Sequence, residues 1–412
     1  MRRVAVTGLG VVSPLGASAA VAFEAARAGR SAIGLLDLAG ATRLAAPLAA
    51  SVSGFDGAAH FEPPQFRQLD RVAQLAVVAA RQAVADAGGV GWSDAERART
   101  GVFVGTGMGG SLSMDDSYQT LYGQQSDRIH PTLVLRGMHN APAGWIGIEY
   151  RLRGPNLTYS TACSSSAVAI GEAWLRIAHG MLDIAIAGGS EAPLSLGSLK
   201  AWEAMHTLAR IDAGAPSASC KPFSKNRSGM VLGEGAAMLT LEPWDRAVAR
   251  GATIHGELLG YGLATDIAHI TRPTVEGQAA AMRAALQSAQ LPPEAIDSIN
   301  AHGTGTHAND VVETGAIRAV FGAHAERLAI SATKSMHGHL LGAAGALECV
   351  LSLCALQANV ALPTMHLLQP DSACDLDYVP NTARPGAAGQ IMLSNSFAFG
   401  GTNAVLVLHS AG

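Results

Sequence analysis

The chain runs through one order of segments twice, and a duplicated core constrains its fold more than any single motif does. In the first half an alanine-rich stretch, RVAQLAVVAARQAVADAG (71–88), leads through a polar segment to GVFVGTGMGG (101–110). AALQSAQLPPEAIDSINAHGTGT (284–306) repeats that order in the second half. TYSTACSSSAVAIGEA (158–173) is then echoed by AISATKSMHGHLLGAAGALE (329–348), each reading as strand, small-residue turn and helix. Apolar runs bounded by glycine at 3–10, 101–107, 183–189, 236–242 and 390–396 have the length of buried strands, and alanine-rich helical stretches at 71–88 and 277–291 lie between them. Such alternation predicts a layered α/β fold of two similar halves, 1–250 and 251–412, joined near 245–256. Equivalent turns of a pseudo-symmetric pair face each other, so Cys163 and the Lys334–His339 segment are expected to meet at the centre.

Composition narrows the class. Only 15% of the 412 residues are charged against 49% hydrophobic, which leaves little charge to solvate a surface and points to a large interior and an extensive subunit interface. A formal net charge of −4 argues against bulk nucleic-acid binding. The start, MRRVAVTGLGVVSPLG, is broken by Thr7, Gly8, Gly10, Ser13 and Pro14 and reads as a first strand, not a leader; no membrane span is expected. Five cysteines without CxxC spacing favour a reducing cytoplasm and give no metal signal.

Among those cysteines Cys163 stands apart. It sits between a strand-like run and an apolar helix, with Ala162, Ser164, Ser165 and Ser166 leaving room for a substrate carbonyl. A helix start presents unpaired N–H groups and the positive end of a dipole, which favours S⁻. A thiol that takes an acyl group and yields it to a carbon nucleophile also needs N–H donors for an oxyanion and for a developing enolate. His302 in NAHGTGT and His339 in SMHGH offer imidazole donors, and the glycine-rich SNSFAFGGTN (394–403) offers backbone N–H groups. Cys220, Cys349, Cys354 and Cys374 lack the small-residue turn and read as structural thiols, and His337 as structural or pocket-lining.

Taken together, from VAVTGLGVVSPLG to SNSFAFGGTNAVLVL, these motifs resemble the β-ketoacyl-acyl carrier protein synthases, specifically the elongating type II class of condensing enzymes. The resemblance implies the thiolase fold, two βαβαβαββ halves in five α-β-α-β-α layers. It also implies an acyl carrier protein as partner, a homodimer or a heterodimer with a homologous subunit, and no tightly bound cofactor, with an alkali cation left open. Cys163 then takes the acyl chain, and His302 and His339 stabilise the enolate left by malonyl decarboxylation. Lys334 acts electrostatically, tied to Glu313. Glu348 organises the site. The N–H groups of Cys163 and Phe399 form the oxyanion hole, Phe399 gates the pocket, and Asp266 lies on a second gating loop. Thr304, Thr306 and Thr271 line the pantetheine tunnel, and Met108 walls the acyl pocket. Arg67, Arg71, Arg128 and Arg210 are candidates for docking the acidic carrier.

Three features depart from the pattern. Ala398 replaces a glycine between Phe397 and Phe399, His307 replaces a frequent proline, and TACSSS with HGTGT also resembles polyketide ketosynthases. A secondary-metabolite pathway, with a discrete ketosynthase pair, is therefore the alternative setting. A chain-length factor is disfavoured because Cys163, His302, Lys334 and His339 are all present, and a thiolase because FAFGGTN lacks a second cysteine.

Overall fold

A computed structural model describes residues 1–89 and 91–411. Its main sheet has ten strands: β1 (Val4–Val12), β2 (Thr100–Gly105), β3 (Asn156–Tyr159), β4 (Ile184–Glu191), β5 (Gly235–Pro243), β6 (Gly256–Thr265), β7 (Ser298–Asn300), β8 (Ala329–Ser331), β9 (Ile391–Phe397) and β10 (Thr402–His409). The spatial order is β3-β2-β4-β5-β1-β6-β10-β9-β7-β8. Read from either edge to the centre it is one order, with each label advanced by five, so the repeat seen in the sequence is a repeat of topology. The pairings repeat as well: β2 with β3, and β7 with β8, are parallel, whereas β4 with β5, and β9 with β10, are antiparallel. The halves join where β1 and β6 pair antiparallel, Val4 opposite Leu258.

Five principal helices complete the layers: α1 (Arg71–Asp86), α2 (Ser165–Ala178), α3 (Val275–Ala289), α4 (His307–Phe321) and α5 (Ala344–Ala358). α1 covers the outer face of the first half and α3 that of the second; α2 and α5 pack on each other between the half-sheets. The result is the α-β-α-β-α sandwich implied by the resemblance. Asp70 starts α1 by accepting the Val72 N–H at 2.9 Å, a side-chain cap that settles one of the unpaired donors of a helix start. Both outer helices lie unusually close to their strands. A Cβ on Gly8 of β1 would stand 1.9 Å from the Ala83 oxygen, and one on Gly262 of β6 2.2 Å from the Ala281 oxygen, so a glycine is required at each. Burial on nearly every side explains why α5 is mostly apolar, with Glu348 the one charged side chain it carries. Segment Leu341–Ala358 is apolar enough to cross a membrane, with mean hydropathy 1.6, but 89% of it is buried in this core.

Candidate active site

Cys163 lies on the turn Ala162–Ser164, which runs directly into α2. Ala162 holds φ +50 there, a left-handed conformation that costs an L-residue roughly 1–2 kcal/mol. The Ser165 hydroxyl holds the strained turn by donating to the Ala162 oxygen at 2.6 Å and accepting the Thr161 N–H at 2.9 Å. The serines of TACSSS thus build the elbow that raises the thiol. From the other half, the strand–turn–helix β8 to α5 brings His339 and Lys334 to the same point. One ligand-type atom each of Cys163, His302 and His339 lies within 4.8 Å of the others. The meeting expected from the duplication is found.

A Cys–His–His trio has the composition of a zinc ligand set, but its tautomers point elsewhere. The Leu341 N–H donates to His339 Nδ1 at 3.1 Å, which places the neutral ring's proton on Nε2. That Nε2 is buried and makes no hydrogen bond. The Lys334 ammonium approaches His302 Nδ1 at 3.4 Å, so this ring also carries its proton on Nε2. Both ring lone pairs are engaged away from the centre, and two N–H donors are left for an acceptor that arrives later. Burial, followed by the charge of Lys334, holds the pKa of His302 and of His339 well below the usual imidazole range. At 3.4 Å two like charges repel by about 5 kcal/mol even at an effective dielectric of 20, so His302 stays neutral beside the ammonium.

The N–H groups of Phe399 and of Cys163 itself face the sulfur. They, and the Lys334 charge, lower the thiol pKa, yet burial outweighs them and lifts it to about 11. The S⁻ expected from the helix start is therefore not the resting form. Because a raised pKa preserves the thiol beyond its ordinary 9, Cys163 alkylation by iodoacetamide should keep accelerating from pH 8 to 10. A plateau near pH 8.5 would contradict this.

Lys334 is fully buried, and its partner differs from the expected one. Its Nζ meets Glu348 Oε1 of α5 at 2.5 Å. Glu313 of α4 instead accepts the backbone N–H groups of His302 (2.7 Å) and Gly303 (2.8 Å) and the side-chain amides of Asn309 and Asn395, which pins the HGTGT loop. Burial raises the Glu348 pKa to about 7 against the opposing charge of Lys334.

A cleft of about 570 Å³, part of it open to solvent, leads to the thiol, and Asp266, Thr271, Thr304, Thr306 and Phe399 all line it. The Thr304 and Thr306 hydroxyls lie 2.8 Å apart. Phe399 is half-buried and stacks on Trp202 with centroids 6.1 Å apart. Asp266 accepts the Thr274 N–H at 2.6 Å, and its own N–H reaches the Gly401 oxygen at 2.8 Å, tying the loop after β6 to the loop after β9. Gly400 and Gly401 take left-handed φ values (+84 and +81) whereas Ala398 does not, so the alanine introduces no backbone strain.

Met108 lies outside the cleft lining, in an apolar cluster with Leu199, Met230 and Leu341. Arg71 does not present a free charge: its guanidinium binds both carboxylate oxygens of Glu234 at 2.7 Å. Arg67, Arg128 and Arg210 are exposed, but none lines the cleft. Sequence reasoning missed the arginine that does, exposed Arg272, whose signal was its place in the expected gating loop. His337 is buried, with Nε2 3.0 Å from the Thr333 hydroxyl, as a structural histidine should be.

A strained thiol facing two backbone N–H groups and two imidazole N–H groups, on a duplicated α/β sandwich, defines an acyl-transferring enzyme of the thiolase-fold class. Residues 1–247 match the family model described as beta-ketoacyl synthase, N-terminal domain, and residues 255–368 the one described as beta-ketoacyl synthase, C-terminal domain. A 3-oxoacyl-[acyl-carrier-protein] synthase 2 of Coxiella burnetii is 42% identical over 412 residues, covering 99% of this chain and 98% of that protein. Two solved structures cover 100% of both chains: the ishigamide ketosynthase/chain length factor, 34% identical with a TM-score of 0.92, and a type II polyketide ketosynthase (AntDE:AntF) in complex with its acyl-carrier protein, 30% identical with a TM-score of 0.90. The chain belongs to the β-ketoacyl synthase family, and is a condensing enzyme.

Proposed function

We propose that the chain extends an acyl group by two carbons, using malonyl-acyl carrier protein as donor. The carrying observation is the convergence of two donor pairs on one buried thiol. In the first step Cys163 Sγ attacks the acyl thioester, the Phe399 and Cys163 N–H groups hold the oxyanion, and the carrier thiol leaves with the proton. Malonyl thioester then loses CO₂, and the enolate oxygen accepts from Nε2–H of His302 and His339. Its carbon attacks the acyl-Cys163 carbonyl and forms the C–C bond; collapse of the tetrahedral intermediate breaks the C–S bond, and the released thiolate takes a proton from solvent to restore the resting thiol. Neutral imidazoles suit this work because they donate without a proton being exchanged.

Thr304, Thr306 and Thr271 supply hydroxyls along the cleft to a pantetheine arm, and half-buried Phe399, stacked on Trp202, is the movable wall. Three buried oxygens, Glu348 Oε2, Asn300 Oδ1 and Asn395 Oδ1, lack hydrogen-bond partners. Oxygens of this kind are the ligand type that an alkali cation would take. The free edge strand β3 and exposed Ile148 and Leu157 favour pairing with a second, homologous chain there. The likeness to a ketosynthase/chain length factor supports the alternative of a secondary-metabolite pair, and co-purification with a homologue lacking the cysteine would favour it.

Intact mass after incubation with a ladder of acyl carriers tests the reading: the mass should rise by one acyl group, and by none if it is wrong. For docking, Arg67 and Arg272 reversed to glutamate should raise the apparent KM for carrier-bound substrate severalfold while sparing a small soluble thioester. Equal losses on both would argue against docking there.

A further inference from the structure

Glu191 ends β4 fully buried, and no ion pair reaches it among the described residues. Its carboxylate is instead saturated with neutral donors. Oε2 accepts the N–H of Gly107 at 2.6 Å and of Gly342 at 2.9 Å; Oε1 accepts the Met108 N–H at 2.9 Å and the Thr106 hydroxyl at 3.2 Å. Three of these donors belong to the loop after β2 in the first half, and the fourth to the turn that follows His339 in the second. The carboxylate is therefore a bridge between the halves.

The space around it is built for this contact. A Cβ on Gly342 would stand 2.4 Å from the Gly107 nitrogen and 2.7 Å from Glu191 Oε2. One residue earlier, buried Leu341 takes a left-handed φ of +44, a conformation that a leucine adopts only when its surroundings impose it. In that conformation its N–H reaches His339 Nδ1. Burying a carboxyl group without a cation is costly, and burial lifts its pKa to about 7 against the four donors, whereas a merely apolar junction would pack as well without it. What the carboxyl oxygen adds is a fixed direction for the Gly342 N–H, and hence for Leu341.

From this chain of contacts the geometry points to Glu191 as a positioning residue: by holding Gly342 it keeps the Leu341 N–H on His339 Nδ1 and so keeps the His339 proton on Nε2, facing the thiol. This rests on the enolate-binding role proposed for His339. It predicts that the first half of the chain, through the loop after β2, sets the protonation pattern of a histidine in the second.

Two variants test it, Glu191→Gln and Gly342→Ala. The amide would turn N–H groups toward backbone donors, and the methyl would push the turn off an intact carboxylate. Expected for each is a shift in the ¹⁵N signals of His339 from the Nε2–H tautomer toward a mixture. Malonyl decarboxylation should fall on the order of tenfold or more, while Cys163 acylation changes less than threefold. Because both variants break one contact, their losses should fail to add in the double variant. If E191Q does not fold, G342A carries the test. Equal loss of acylation and decarboxylation, or an unchanged tautomer, would overturn the positioning role. A shifted tautomer with unchanged decarboxylation would instead refute the enolate role of His339 and leave the positioning intact.

Discussion

Cys163→Ala should abolish acyl transfer and spare decarboxylation. Alanine keeps the backbone of the elbow, including the Cys163-position N–H, and costs little stability because it removes a single buried atom. Both Nε2–H donors are untouched, since His339 is oriented by Leu341 and His302 by Lys334. Loading of acyl groups from carrier, read by intact mass, should drop on the order of 10⁶-fold, the scale of a lost nucleophile. CO₂ release from malonyl-carrier should stay within severalfold of the parent. Retained elongation would show that the thiol is not the nucleophile. Joint loss of both reactions would show that the two donor pairs do not divide the work.

Much of the architecture was legible because duplication writes it twice. The buried strands are nearly continuous apolar runs, so their limits fall within a residue or two of the expected ones: 236–242 became Gly235–Pro243 and 390–396 became Ile391–Phe397. One further trace of the repeat was present and unread. Gly8-Leu9-Gly10 and Gly260-Tyr261-Gly262 stand on the corresponding first strands, each where an outer helix backbone touches the sheet. The thiol and the two histidines were legible from residue type and small-residue context. Charge partners were not, because a carboxylate's partner depends on which helix face turns inward. Glu313 and Glu348 sit on different helices that both approach the site, and only packing shows that the first takes N–H groups and the second the ammonium. The same holds for Arg71, an exposed cation by sequence and a bidentate ion-pair partner in space. Glu191 was hidden for the opposite reason: a single carboxylate after IAIAGGS carries no motif, although an acid ending a wholly apolar strand is itself a signal.

The Lys334–Glu348 pair allows scaffold and chemistry to be separated. Both side chains are at most 1% exposed and only 2.5 Å apart, so removing either one strands its partner in a low-dielectric interior. Lys334→Met and Glu348→Leu should each lower the unfolding free energy by about 3–5 kcal/mol, read from denaturant midpoints. The lysine variant should sit at the lower end, because Glu348, whose pKa burial already lifts to about 7, would go higher without the ammonium and take up a proton at neutral pH. The double variant, apolar on both sides, should recover most of that stability, since exchanging a buried pair for hydrophobic residues is often neutral or better. Catalysis should not follow. With no ammonium at Nδ1, His302 is free to place its proton on either nitrogen, and half of the enolate donor pair is lost. Decarboxylation in the double variant should therefore remain down by on the order of 10². Recovery of both properties would make the pair a scaffold alone; recovery of stability without activity assigns to Lys334 the task of keeping His302 neutral and correctly protonated.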